Sequence, residues 1–188
     1  MTALDNLDGF LDQMLKGKSS AITKDLRLNL GRLLRDGALE PADRALTLLA
    51  TATSVGSHEL ETFARSWLRE LDITEEQVNE AAESAAMMGM LNMYYRFKHM
   101  VTEGQEQAFV DQYRSAGLRM NALAKPVLGK ERFEMLALAV SVLGGCQTCI
   151  SSHEKVLRDA GVEIAKIQDL ARIAAVVRGV ATLARIPA

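Results

Sequence analysis

The sequence predicts an all-α protein, and three observations carry that prediction. No window alternates apolar and polar residues as a half-buried strand does. Ala, Leu, Met, Arg and Glu, all good helix formers, dominate the chain. The three prolines and most of the 13 glycines fall between periodic segments, not inside them.

The elements follow in order. A first helix is expected near residues 5–16, with Leu7, Phe10, Leu11 and Met14 facing inward. A second is expected near 23–35, stopped at Gly37. Pro41 suits a first-turn position, where its missing N–H costs nothing, and opens a helix running to about Ser54. Ser57 is placed to cap the next helix, whose apolar stripe is Leu60, Phe63, Ala64, Trp67, Leu68 and Leu71. Thr74-Glu75-Glu76-Gln77 is a capping-box pattern. It starts an Ala- and Met-rich helix reaching toward Lys98, with a break expected near Gly89. The polar region 101–117 is expected to hold a short helix between loops, and helices then follow near 118–124, 130–143, 146–160 and 163–185.

At 188 residues the chain suits one domain, 1–188, with a proper core. A faint internal repeat divides it into halves near 22–100 and 114–185. Leu26-Arg27-Leu28-Asn29 recurs as Leu118-Arg119-Met120-Asn121. Each copy leads to an Ala/Leu-rich helix, a glycine break (Gly56; Gly144-Gly145), a further helix and a final Ala-rich helix. Where the second half carries Cys146, Cys149 and His153, this alignment sets His58, Glu61 and Arg65 in the first. The chemistry is therefore expected in the second half, with the first as scaffold.

A net charge of −2 gives no reason to expect nucleic acid or an anionic membrane as partner. No apolar run approaches the roughly 20 residues of a membrane span, and Met1-Thr2-Ala3-Leu4-Asp5 lacks the pattern of a signal peptide. The expectation is a cytoplasmic protein. In that compartment a Cys-x-x-Cys reads as redox or metal chemistry before it reads as a structural staple.

The only two cysteines form one such motif, Cys146-Gln147-Thr148-Cys149. His153 follows four residues after Cys149, and Glu134 precedes Cys146 by twelve. Gly144-Gly145 is expected to end one helix and reverse the chain into the next, so that the two run antiparallel. At 1.5 Å per residue Cys149 lies about 7 Å from the turn, His153 about 13 Å and Glu134 about 16 Å. Glu134 and His153 are then level, and Cys149 shares a face with His153. From depth to surface the expected order is carboxylate, imidazole, second thiol, first thiol. That is a proton relay: Glu134 orients or charges His153, and His153 takes the proton from Cys149. Cys146, at a helix N-terminus, also gains from the dipole. A charge-assisted base outweighs a solvent-screened dipole, so Cys149 is the expected attacking thiol and Cys146 the resolving and exchanging one.

The run Glu134-x11-Cys146-x2-Cys149-x3-His153 resembles the active-site pattern of the alkylhydroperoxidase D family, within the carboxymuconolactone decarboxylase-like superfamily. Residues Met88 to Arg96, Leu118 to Asn121, and Phe133-Glu134 are similar to further family segments. The likeness spans about residues 25–185. It implies an all-helical fold and reduction of organic hydroperoxides. It also implies a thiol-disulfide adaptor role toward a partner peroxiredoxin. Electrons would come from NADH through lipoamide dehydrogenase and a lipoylated acyltransferase protein, with dihydrolipoamide as external reductant and no bound cofactor. Cys149 would carry the sulfenic acid, Cys146 would serve as proton donor and disulfide partner, and Glu134 with His153 would form the relay. Assembly would be a homotrimer or a multiple of one. Some family members carry a histidine where this chain has Thr148, so any role of that histidine does not transfer.

Two rival readings fit the same residues. Cys-x-x-Cys is half of a zinc site, which His153 and Glu134 could complete in an interaction module. A non-redox relative of the decarboxylase branch would instead use Glu134 and His153 as acid and base. Met87, Met88, Met90 and Met93 are expected to pack the core or a subunit contact, Tyr94, Tyr95 and Arg96 to serve core or interface, and His58 and His99 to be surface residues. No Gly-rich phosphate cradle or nicotinamide fingerprint is present, so reducing equivalents must come from another molecule.

Overall fold

The computed structural model describes residues 2–187. Among them are nine α-helices and no strand. They are α1 (Leu7–Met14), α2 (Ala21–Asp36), α3 (Pro41–Val55), α4 (His58–Glu70), α5 (Glu75–Thr102), α6 (Gln107–Val110), α7 (Lys130–Gly144), α8 (Gln147–Asp159) and α9 (Ile164–Ala184). No helix among the described residues is long and apolar enough to cross a membrane.

Local chemistry sets most boundaries. Ser20 caps α2 by accepting the Thr23 N–H, Pro41 opens α3, and Thr74 with Gln77 closes a reciprocal capping box on α5. Ser57 holds the cap position of α4, but its side chain takes no helix N–H. Helix α5 runs 28 residues without a break at Gly89. Gly89 is exposed and Met88, Leu91 and Asn92 beside it are buried, and that packing outweighs the roughly 1 kcal/mol cost of a helical glycine. The expected helix at 118–124 is only a 3-10 turn, Asn121–Ala124. Gly117, at φ +64°, and Pro126 bound the segment, and Met120 and Lys125, which flank the turn, both leave helical backbone, the second as the residue before a proline does.

Helices α3 and α7 form the centre, buried along nearly their whole lengths. Each packs against both α5 and α9, and they pack against each other, while α4 covers α3 and α8 covers α7. Helix α2 packs on α9, and Phe10 of α1 stacks on Phe63 of α4 with ring centroids 4.6 Å apart.

The halves are related with a fixed register. Helices α3, α4 and α5 start at Pro41, His58 and Glu75, and α7, α8 and α9 start at Lys130, Gln147 and Ile164, a constant offset of 89 residues. Arg132, which lies at that offset from Asp43, donates to it at 2.8 Å. This register corrects the sequence alignment by one residue. The counterparts of Cys146, Cys149 and His153 are Ser57, Leu60 and Ala64, not His58, Glu61 and Arg65. The Leu26–Asn29 and Leu118–Asn121 segments fall outside the register, the first within α2 and the second leading into a 3-10 turn.

Candidate active site

Helix α7 ends in a Schellman turn, in which a left-handed residue lets two successive N–H groups fold back on the last carbonyls. Gly145, at φ +62°, donates to the Val142 carbonyl at 3.2 Å, and Cys146 donates to the Ser141 carbonyl at 3.4 Å. The reversal sets Cys146 at the cap position of α8, where its Sγ accepts the Cys149 N–H at 3.3 Å. Cys146 and Cys149 are joined by a disulfide, with Cα atoms 5.3 Å apart.

The antiparallel packing of α7 and α8 brings Glu134 level with His153, as the rise per residue predicts. Glu134 Oε2 lies 2.6 Å from His153 Nδ1, with the side chains 20% and 21% exposed. An ionised carboxylate can only accept, so Nδ1 donates in this bond and Nε2 is the nitrogen left to take or give a proton.

Cys149 and His153 open into one cavity of about 320 Å³. Its walls are Met88, Leu91 and Tyr95 from α5, Met120 and Leu123 from the 3-10 segment, and Thr148 and Ser152 from α8. Mostly apolar residues from α5 and the 3-10 segment and polar ones from α8 share the lining. Cys146 does not line this cavity.

The depth order therefore differs from the sequence expectation. Cys146 is fully buried at 0% exposure, and Cys149, at 6%, is the sulfur that reaches the cavity. The position after the left-handed residue in a Schellman turn packs back on the helix it follows, which takes the first cysteine inward. Tyr95 and Met88 also gain a role the sequence did not assign them. Their spacing with Leu91 marks one helix face, but only the fold turns that face toward Cys149. His58 and His99 do not line the cavity. Among the described residues no group of three or more His, Cys, Asp or Glu side chains is arranged to hold a metal ion.

Fold and site together define an all-helical protein with a Cys-x-x-Cys disulfide beside a carboxylate–imidazole pair. Residues 112–186, which contain Glu134, Cys146, Cys149 and His153, match the Carboxymuconolactone decarboxylase family. The alkyl hydroperoxide reductase AhpD of Anaeromyxobacter dehalogenans is 40% identical over 158 residues, 84% of this chain and 82% of that protein. AhpD of a Bradyrhizobium strain is 39% identical over 173 residues, 90% of each chain. AhpD of Mycolicibacterium smegmatis is 39% identical over 173 residues, 89% of this chain and 90% of that one. The chain belongs to the AhpD family.

Proposed function

We propose that this protein is an antioxidant thiol peroxidase for organic hydroperoxides and a thiol-disulfide adaptor for a partner peroxiredoxin. The observation that carries the reading is the Cys146–Cys149 disulfide, one sulfur of which shares an apolar-walled cavity with a carboxylate-backed histidine. The relatives, named alkyl hydroperoxide reductases, support the same assignment.

His153 takes the proton of the Cys149 thiol. The thiolate attacks the terminal oxygen of ROOH and the O–O bond breaks. The alkoxide leaves and takes that proton from His153 as ROH, and Cys149 becomes a sulfenic acid. The Cys146 thiol condenses with it, releasing water and forming the disulfide. Dihydrolipoamide then gives two electrons and two protons by successive thiol-disulfide exchange and leaves as lipoamide. A lipoylated acyltransferase protein, recharged by lipoamide dehydrogenase and NADH, is the proposed source. In the adaptor role the reduced pair passes its electrons to the disulfide of the peroxiredoxin. No resident cofactor takes part.

The assignment of Cys149 as attacking thiol gains support from its access to the cavity, which the buried Cys146 lacks. Thr148 stands where some relatives have a histidine. It lines the cavity but offers no base, so intrinsic turnover is expected below that of histidine-bearing members. A cytoplasmic homotrimer, or a multiple of one, belongs to the same proposal. Met93, Phe97 and Met100, exposed on one stripe of α5, are apolar surface that self-association would cover.

The test is peroxide-dependent NADH oxidation in the presence of lipoamide and lipoamide dehydrogenase. Turnover that requires both cysteines is expected. Absence of any cysteine-dependent NADH loss would overturn the reading.

A further inference from the structure

The two halves of the fold supply an internal control, because α3 and α7 end in the same turn and only one turn carries chemistry. In both, the left-handed glycine and the residue after it donate to equivalent carbonyls. Gly56 and Ser57 donate to Thr53 and Ala52, and Gly145 and Cys146 donate to Val142 and Ser141. In both, an arginine from the helix that packs across the end caps a terminal carbonyl. Arg185 Nη1 donates to Val55 O at 3.4 Å, and Arg96 Nη1 donates to Gly144 O at 2.9 Å. These pairs sit at the shared offset of 89 residues. The arginine cap is therefore part of the scaffold.

What differs is a polar latch in the half that carries the cysteines. Asn92 of α5, 3% exposed, donates from Nδ2 to Val140 O at 3.3 Å. Its Oδ1 accepts the fully buried Ser141 hydroxyl at 2.9 Å. The carbonyl of that same Ser141 receives the Cys146 N–H. Gly144 completes the latch, since a Cβ there would lie 2.8 Å from Asn92 Nδ2, and only a residue without a side chain lets α7 approach so closely. At the offset of 89, the scaffold half holds Ala181, Ala52 and Val55 in place of Asn92, Ser141 and Gly144. A buried, hydrogen-bonded Asn–Ser pair stands where the same fold closes with two buried alanines. Burying such a pair brings little net stability, so stability alone does not account for it.

We infer that Asn92 and Ser141 are positioning residues for Cys146. They hold the last turn of α7 so that the buried sulfur meets Cys149 in bonding geometry, which sets the effective concentration of one thiol toward the other. The inference rests on the redox reading of the pair but not on the identity of its oxidant or reductant. The latch acts on disulfide closure and leaves the relay of Glu134 and His153 alone.

The test copies the scaffold half into the site. Asn92→Ala/Ser141→Ala removes both partners together and strands no buried hydroxyl, the combination closest to neutral for folding. The probe is dithiothreitol: protein dithiol plus oxidised dithiothreitol equilibrates with protein disulfide plus reduced dithiothreitol. The double variant is expected to form its disulfide with an equilibrium constant about tenfold smaller, with Ser141→Ala alone shifting it in the same direction. The rate at which iodoacetamide alkylates Cys149, measured in a Cys146→Ser background, is expected to stay within twofold. An unchanged equilibrium constant in the folded double variant overturns the inference. So does loss of helical circular dichroism in both the double variant and Ser141→Ala, since the latch would then be a stability element. An equal change in the alkylation rate and its pH profile overturns it too, placing the latch in the proton relay. No peroxide or lipoamide enters this measurement, so failure of the proposed peroxidase activity leaves its outcome readable.

Discussion

Glu134→Gln separates the charge of the relay from its geometry. The amide keeps the length of the side chain and can still accept from His153 Nδ1, but it carries no charge to stabilise the imidazolium that forms when Cys149 gives up its proton. The contact is 2.6 Å between side chains about one-fifth exposed, which makes it a charge-assisted bond with limited screening. Such bonds contribute about 1.5–3 kcal/mol against about 0.5–1.5 kcal/mol for neutral ones. The difference, roughly 1–1.5 kcal/mol, corresponds to about a tenfold slower proton transfer. Removing the base altogether in His153→Ala is expected to cost about a hundredfold or more. The assay is sulfenic acid formation on Cys149 after mixing with cumene hydroperoxide, trapped with dimedone in a Cys146→Ser background so that no disulfide closes. Iodoacetamide alkylation of the same thiol gives a peroxide-free readout. The reasoning fails if Glu134→Gln reacts at the parent rate, or if it loses as much as His153→Ala.

Further outcomes follow from other contacts. Cys146→Ser is expected to accumulate a sulfenic acid with stoichiometric hydroperoxide, and Cys149→Ser to form none; mass spectrometry of dimedone adducts decides, and an adduct on Cys146 would reverse the assignment. Both oxygens of Glu80 accept backbone N–H groups ahead of α7, from Val127 at 2.9 Å and Leu128 at 2.6 Å. Glu80→Gln leaves one oxygen to accept, and a loss of about 1–2 kcal/mol in urea unfolding is expected, whereas an unchanged midpoint would show that these bonds carry no net stability. Gly145→Ala meets no atom within 4 Å but must hold φ +62°, a strain of about 1–2 kcal/mol. Gly144→Ala collides with Asn92 and is expected to lose more stability than Gly145→Ala; the reverse order in thermal melts would contradict the packing described for α5 and α7.

Much of this fold was legible because the signals are local. The capping box at Thr74 and Gln77, the first-turn Pro41 and the apolar stripe of α4 depend on residues within one or two turns of each other. The level pairing of Glu134 and His153 was also legible, since one glycine reversal and a fixed rise per residue place both. Tertiary geometry decided the rest. Whether Cys146 or Cys149 faces outward depends on how a Schellman turn packs its last residue, which spacing does not encode. The cavity joins Met88, Leu91 and Tyr95 to residues more than fifty positions later, so periodicity alone marks them only as a helix face. Matching residue types alone aligns the site positions of the two halves one residue out of register; helix starts fix the register because they are tied to the turns. Gly89 read as a break because glycine weakens an isolated helix, and burial of its neighbours overrode that tendency.

Counting thiols on the reduced protein before and after one equivalent of cumene hydroperoxide addresses the redox centre without any partner. Loss of both thiols, with a Cys146–Cys149 bridged peptide in the mass spectrum and no bridge in a His153→Ala sample taken at the same early time, is the expected result. Two thiols still titratable after the peroxide has been held with the native protein would contradict the account at its root.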